Sequence, residues 1–250
     1  MHYTGAPMRR AELERLLADE GYVASADAAE RMGVSEMTVR RDLQRLAAEG
    51  RVRRVAGGAA PADAALPFER RSTVDSSYKR RVVEAAAGEL VGARTIALDA
   101  GTTVAALAPL VRGATVVTHS LPVITTLAGR RPEALVAAGG QYQVDTRSFA
   151  GPAAEAALRA VRTDVAVLSA TAVSPDGLWG TNALDAAIKR ILAEQAARVV
   201  LVADGAKIGA RAPLRIADVA LVDVLVTDDR ADAEVLAALR DRGIAVRIAR

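Results

Sequence analysis

Through the first sixty residues, apolar positions recur at helical spacing inside short segments. Leu13, Leu16 and Leu17 share one stripe of a helix that Pro7 opens and Gly21 stops. Ser25 is expected to cap a second helix, Ala26 to Met32, which Gly33 ends. Ser35 caps a third, in which Val39, Leu43 and Leu46 fall on one face at i, i+4 and i+7, and Gly50 stops it. A short helix, a turn at Gly33 and Val34, and a longer capped helix together make a helix-turn-helix. The run Arg51-Val52-Arg53-Arg54-Val55, followed by Gly57 and Gly58, reads as a strand and turn, and suggests a wing.

Beyond residue 77 the pattern changes. Helical runs are expected over 77–91, 103–111, 121–130, 152–161, 183–197 and 231–242. Between them fall apolar strands over 94–98, 114–118, 134–137, 163–169, 198–203, 219–226 and 244–248. Such alternation implies crossover units and a parallel sheet covered on both faces. The stretch from Ala59 to Ser76 loses periodicity and carries Pro61 and Pro67, as a linker does. The predicted division is therefore a winged helix-turn-helix over 5–60, a linker over 61–76 and an α/β domain over 77–250.

Composition narrows the chemistry. The 250 residues contain no cysteine, which removes disulfides, thiolate nucleophiles and cysteine-ligated zinc. No apolar run approaches the roughly 20 residues of a membrane span, and the N-terminus lacks a signal-peptide core, so a cytoplasmic protein without membrane attachment is expected. The net charge of +3 is unevenly spread: −3 over 1–39, +6 over 40–81 and zero over 82–250. A local basic band of this kind suits phosphate neutralisation, although a charge run is also commonly just a solvated face.

Opposite Val39, Leu43 and Leu46, the third helix carries Met37, Arg41 and Gln44, flanked by Thr38, Arg40 and Arg45, with Ser35 at its start. Guanidinium can fork to guanine, glutamine to adenine, and methionine can pack on apolar base edges, so this composition suits a major groove. Arg51, Arg53 and Arg54 of the wing would grip the DNA backbone. The competing reading is a small helical protein-interaction domain with solvated arginines.

In an open parallel sheet, ligands bind beyond the carboxyl ends of the strands. There the chain places Asp99-Ala100-Gly101-Thr102-Thr103, Thr118-His119-Ser120, Gly139-Gly140 and Asp204-Gly205-Ala206-Lys207. The first resembles a phosphate cradle, though Gly-Thr-Thr is also a plain helix cap. Of 33 basic residues only Lys79, Lys189 and Lys207 are lysine, and a compact ammonium suits a closed anion pocket where a planar guanidinium would not fit. His119 alone reads as a hydrogen-bonded polar residue. No metal site, cofactor or catalytic constellation is expected.

These residues resemble a known family over nearly the whole chain. Ser35-Glu-Met-Thr-Val-Arg-Arg-Asp-Leu43 and Arg53-Arg-Val-Ala-Gly-Gly-Ala59 look like the helix-turn-helix and wing of the DeoR family of bacterial transcriptional regulators. Leu98-Asp-Ala-Gly-Thr-Thr103, Gly139 and Gly140 with Tyr142, Thr146, Ser148 and Gly151, and Ala203-Asp-Gly-Ala-Lys-Ile-Gly209 look like its C-terminal sensor. The resemblance implies a Rossmann-like sensor of the ribose-phosphate isomerase and CoA transferase type. It implies a repressor of a carbohydrate or related operon, controlled by a phosphorylated sugar or similar anion and working as a homo-oligomer, dimer or tetramer, on double-stranded operator DNA. Carried over, Asp99, Gly101, Thr102 and Thr103 would hold phosphate or sugar hydroxyls, Gly139 and Gly140 would line the pocket, and Lys189 and Lys207 would supply charge; His119 and Asp204 complete the candidate set.

The chain departs from the family pattern at His119, where asparagine is common, at Gly205 and Ala206, where two serines are common, and at Asp185, where glutamate is usual. Ser169-Ala-Thr-Ala172 replaces a glycine-bearing segment. Two alternatives follow. One is a sugar-phosphate isomerase-like enzyme using Asp99, Asp204 or His119 as base; the other is a sensor domain that has lost its ligand and serves only oligomerisation.

Overall fold

A computed structural model describes residues 5–20, 22–49, 51–55, 57–61, 68, 76–130 and 134–250. The chain divides into two compact units, residues 1–74 and 75–250. Most of the expected linker, and the helix stops at Gly21 and Gly50, lie outside the described residues.

In the first unit α1 (Ala6–Glu20), α2 (Ser25–Met32) and α3 (Glu36–Ala48) enclose an apolar centre that includes Leu13, Leu17, Met32, Val39, Leu43 and Leu46. Strands β1 (Val23–Ala24), β2 (Val52–Val55) and β3 (Gly58–Pro61) pair in the order β1-β3-β2, so the wing is a three-stranded sheet. That sheet overturns the expected cap at Ser25. The residue preceding α2 is Ala24, which makes no side-chain cap, while Ser25 is the buried first residue of the helix and donates its backbone N–H to the Gly57 carbonyl at 2.8 Å. Strand pairing, not a hydroxyl, fixes the entry of α2. Gly58 permits the pairing, since a Cβ there would lie 2.0 Å from the Val23 carbonyl oxygen.

The second unit begins with α4 (Ser76–Gly88) and is built on β4 (Thr95–Leu98), β5 (Thr115–Thr118), β6 (Leu135–Ala137), β9 (Thr163–Leu168), β12 (Ala196–Val202), β14 (Val224–Asp228) and β15 (Ala245–Ala249). All seven pair in parallel, in the order β15-β14-β12-β9-β4-β5-β6. Alternate side chains of each strand enter opposite cores: Ile96, Leu98, Val165 and Val167 join α4, α5 (Thr102–Leu107) and α6 (Leu121–Ala128) on one face. Ala97, Ala166, Leu168 and Leu201 join α7 (Pro152–Arg159), α8 (Ala183–Gln195) and α9 (Ala233–Asp241) on the other. The sheet is thus buried on both sides, as continuous apolar runs require.

Two features differ from the expected elements. Residues 219–221, read as the start of a strand, form a 3-10 turn because the Asp218 carboxylate accepts the Ala220 N–H at 2.9 Å; the strand begins at Val224. Five short strands carried no periodic signal: the hairpin β7 (Gln141–Gln143) and β8 (Ser148–Ala150), and the sheet of β10 (Ala172–Ser174), β11 (Gly177–Gly180) and β13 (Leu214–Ala217). Three or four residues are too few for alternation to show.

Candidate functional site

The first unit positions α3 by its cap and by a buried ion pair. Ser35 Oγ accepts the Thr38 N–H at 3.2 Å and lies 2.9 Å from Thr38 Oγ1. Asp42 is buried on the inner face and binds Arg9 of α1 at 2.7 Å, with Arg10 at 4.0 Å. The outer face then presents Met37, 67% exposed, together with exposed Arg40, Arg41, Gln44 and Arg45.

These side chains are not equivalent. Arg40 is held by Glu36 at 2.7 Å, and Arg45 by Glu49 at 3.5 Å. Arg51 pairs with Glu14 at 2.6 Å and Glu49 at 3.5 Å, and Arg54 donates to the Arg40 carbonyl at 2.9 Å. Arg41 has no ion-pair partner among the described residues. Met37, Arg41 and Gln44 therefore lie together on one exposed stripe, while Arg40, Arg45 and Arg51 are tethered to carboxylates and Arg54 to a backbone carbonyl. Arg53 lies in β2; its side chain is outside the described residues.

In the second unit the strand order sets the place for a ligand. The chain runs outward from β4 through β5 to β6, then returns to the other side of β4 as β9, so the topological switch falls between β4 and β9. Asp99 follows β4 and Ser169 follows β9, and they meet there. Asp99 Oδ2 accepts from the Ser169 N–H at 2.9 Å, from Ser169 Oγ at 2.7 Å and from the Lys189 ammonium of α8. Lys189 also lies 3.4 Å from Asp185, one helical turn earlier. Gly101 fits against this cluster because a Cβ would sit 2.0 Å from Ser169 Oγ.

Burial alone would push the Asp99 carboxyl up and the Lys189 ammonium down. The Lys189 ammonium, with the Ser169 hydrogen bond, outweighs burial and holds Asp99 below its ordinary value, and the carboxylates of Asp185 and Asp99 hold Lys189 above its own. The pair is ionised and buried. Beside it, His119 is fully buried, its Nε2 4.0 Å from Asp99 Oδ1, and neither ring nitrogen has a hydrogen-bond partner among the described residues. Asp99 Oδ1, Thr103 Oγ1 and Ser120 Oγ are likewise buried without partners among the described residues. Thr118 Oγ1 instead donates to the Leu98 carbonyl at 2.6 Å, tying the ends of β4 and β5 together.

Burial lowers the His119 pKa to about 4, with Asp99 opposing and Lys189 reinforcing the fall. Between pH 6.5 and about 4 the unfolded chain therefore binds a proton that the native chain refuses, so stability falls with pH across that window, by up to about 3 kcal/mol. Urea midpoints measured from pH 7 to 4.5 are expected to drop, and His119→Asn to flatten the drop; equal slopes in the two proteins would refute this.

Asp99, His119 and Asp185 each offer one ligand atom within 4.8 Å of the others, a set that could hold a divalent cation, but the Lys189 ammonium bonded to both carboxylates already supplies positive charge there. Thr102, nearly buried, and Thr103 begin α5 beside Gly101. Gly139 and Gly140 follow β6 in exposed positions; Gly140 has φ +145° and packs against the Ala150 carbonyl. Lys207 pairs with Asp204 at 3.2 Å after β12. Asp204, Lys207 and the two glycines share the sheet edge with Asp99 but make no hydrogen bond or ion pair to its cluster among the described residues.

Ser169, Asp185 and Ser120 lie outside the site residues that the sequence predicts; Ser169 and Ser120 each follow a strand, and that position is the signal the sequence carries for them. The glycine at 205 has a structural reason. A Cβ there would lie 2.5 Å from the Ala231 nitrogen and 2.8 Å from Asp228 Oδ1, and the Gly205 N–H donates to Asp228 Oδ2 at 2.8 Å. Arg230 holds the same carboxylate at 2.9 Å and stacks on Tyr78 of α4, 3.5 Å from its ring centre.

Among the described residues no helix is long and apolar enough to cross a membrane. Residues 9–64 match the model of the DeoR-like helix-turn-helix domain, and residues 74–229 that of the DeoR C-terminal sensor domain. The transcriptional repressor AccR of Agrobacterium fabrum is 31% identical over 91% of this chain and 92% of its own length. The glycerol-3-phosphate regulon repressor of Escherichia coli is 28% identical over 92% of this chain and 93% of its own. Among solved structures, ribose 5-phosphate isomerase A of Neisseria gonorrhoeae aligns with 56% of this chain and 56% of its own at 17% identity and a TM-score of 0.40, too slight a likeness to argue from.

Proposed function

This chain belongs to the DeoR family of transcriptional regulators, and we propose that it is a repressor whose operator affinity is set by a phosphorylated sugar or polyol. Met37, Arg41 and Gln44 read bases in the major groove. Ser35, Thr38, Arg40, Arg45, Arg51, Arg53 and Arg54 hold the phosphates on either side. A dimer or larger homo-oligomer follows from the reach of one recognition helix, which covers only a half-site.

In the second unit, Asp99, Thr102, Thr103 and His119 take the hydroxyl-bearing part of the effector at the switch point, with Gly101, Gly139 and Gly140 allowing close approach. Lys207, two strands away and roughly 10 Å across the sheet edge, takes the anionic part by displacing Asp204. Lys189 keeps Asp99 ionised. The observation that carries this reading is the buried, charged cluster at the β4–β9 switch point, with buried acceptors left unpaired among the described residues. One relative bears the name of a glycerol-3-phosphate regulon repressor, which is consistent with a small phosphorylated polyol. Asp99 is committed to three donors and no observation favours it as a base for turnover.

The test begins with duplexes selected from a random library by the full chain. Affinity for a selected duplex should fall by more than about 100-fold between 50 and 200 mM salt, as expected for several phosphate contacts. Failure to enrich any sequence would count against the reading.

A further inference from the structure

We propose that His119 and Asp99 form a hydroxyl-reading pair that fixes the orientation of the effector, admitting a hydroxyl to the floor of the site and turning the phosphate away toward Lys207. The proposal rests on the reading of the second unit as a sensor of phosphorylated metabolites, and adds to it which group is selected where.

Asp99 is asymmetric. Its Oδ2 receives three donors while Oδ1 receives none among the described residues, and both are buried. The 4.0 Å from Oδ1 to His119 Nε2 is too long for a direct hydrogen bond and right for one bridging oxygen in contact with both. Burial keeps the imidazole neutral, so it has one N–H and one lone pair to offer. With Nε2 protonated, the bridging atom must donate to Oδ1 and accept from Nε2–H. A hydroxyl does both. The dianion of a phosphate monoester has no proton to give Oδ1, and the charge of any phosphate would face the Asp99 carboxylate in a buried site, where repulsion is strong.

Ser120 Oγ, next in the chain to His119, and Thr103 Oγ1 are further buried hydroxyls without partners. Each can both give and accept, as a polyol requires. The positive charge of Lys189 is already taken up by Asp99 and Asp185. Lys207, whose side chain is 26% exposed, is the ammonium that solvent and an arriving anion can reach. The polarity of the site thus runs from hydroxyl acceptors at β4 and β5 to an accessible cation after β12.

The chain has two histidines, His2 and His119, so the ring nitrogen resonances of His119 can be identified in histidine-labelled full-length protein by comparison with His2→Gln. The probes are glycerol 3-phosphate, ribose 5-phosphate and glucose 6-phosphate, with phosphoglycolate, which lacks hydroxyls, and inorganic phosphate as controls. At least one polyol phosphate is expected to raise the melting temperature and shift the His119 ring nitrogens, while the controls leave those resonances in place. His119→Ala should weaken that polyol phosphate by about 10- to 100-fold without changing the weaker, Lys207-dependent binding of inorganic phosphate. Because His119→Ala empties a fully buried position and so costs folding stability, the resonance shift in the unmutated protein decides. A polyol phosphate that binds without moving His119, or phosphoglycolate moving it equally, overturns the proposal and leaves the sensor reading intact. If no phosphorylated probe binds, both fall together.

Discussion

Replacing Lys189 by methionine is expected to destabilise the second unit by about 3–5 kcal/mol, because it leaves the fully buried Asp99 carboxylate without its main counter-charge. Removing both charges is expected to cost much less. In Asp99→Asn with Lys189→Met, the amide can still accept from Ser169, and the apolar stem fills the space of the lysine. Urea unfolding of the two single variants and the double should therefore give a large favourable coupling between positions 99 and 189. Additive costs would mean that the pair is not the unit it is here taken to be. The double variant is also expected to lose effector response while keeping its fold, which separates the stability of the site from its use.

Arg41→Ala is expected to act on DNA binding rather than on stability. The side chain is exposed and has no ion-pair partner among the described residues, so unfolding should change by less than about 0.5 kcal/mol. Affinity for a selected duplex should fall by about 1–3 kcal/mol, with relaxed preference at one base pair and little change in the salt slope. Arg40→Ala should differ: Arg40 is tied to Glu36 and lies on the flank, so its loss should weaken all sequences alike and lower the salt slope by about one unit. A family of duplexes measured at two salt concentrations distinguishes the two patterns. If Arg41→Ala keeps full affinity and selectivity, α3 is not the reading helix.

Much of this molecule was legible in the sequence, for identifiable physical reasons. The stripe of Val39, Leu43 and Leu46 determines which face of α3 is buried, and so which face carries Met37, Arg41 and Gln44. The strands of the central sheet are short continuous apolar runs between helices, and each was located to within a few residues except where Asp218 turns 219–221 into a 3-10 helix. The hairpin and the three-stranded sheet were not legible, because strands of three or four residues show no alternation of their own and take their conformation from their partners, nearby for Trp179 with Ala172 and 36 residues away for Trp179 with Arg215.

The candidate site was legible by position and not by pairing. Ending a strand brought Asp99, His119 and Lys207 forward, but nothing local says that Ser169 and Lys189, 70 and 90 residues further along, both bind Asp99 Oδ2. Nor could the pattern tell which arginines of the first unit are tethered, since Arg51 finds Glu14 across 37 residues. The absence of the serine common in the family at 205 has a structural cause that the sequence does not show: the neighbouring backbone and Asp228 leave no room for a side chain.

The most direct measurement is the affinity of the full-length protein for a selected duplex, with and without saturating polyol phosphate found by thermal shift, in parallel with Lys207→Ala. The affinity should change by about 5- to 150-fold on adding the ligand, and Lys207→Ala should keep the unliganded affinity while losing most of that change. A ligand that binds the second unit yet leaves operator affinity unchanged would contradict a metabolite-controlled regulator.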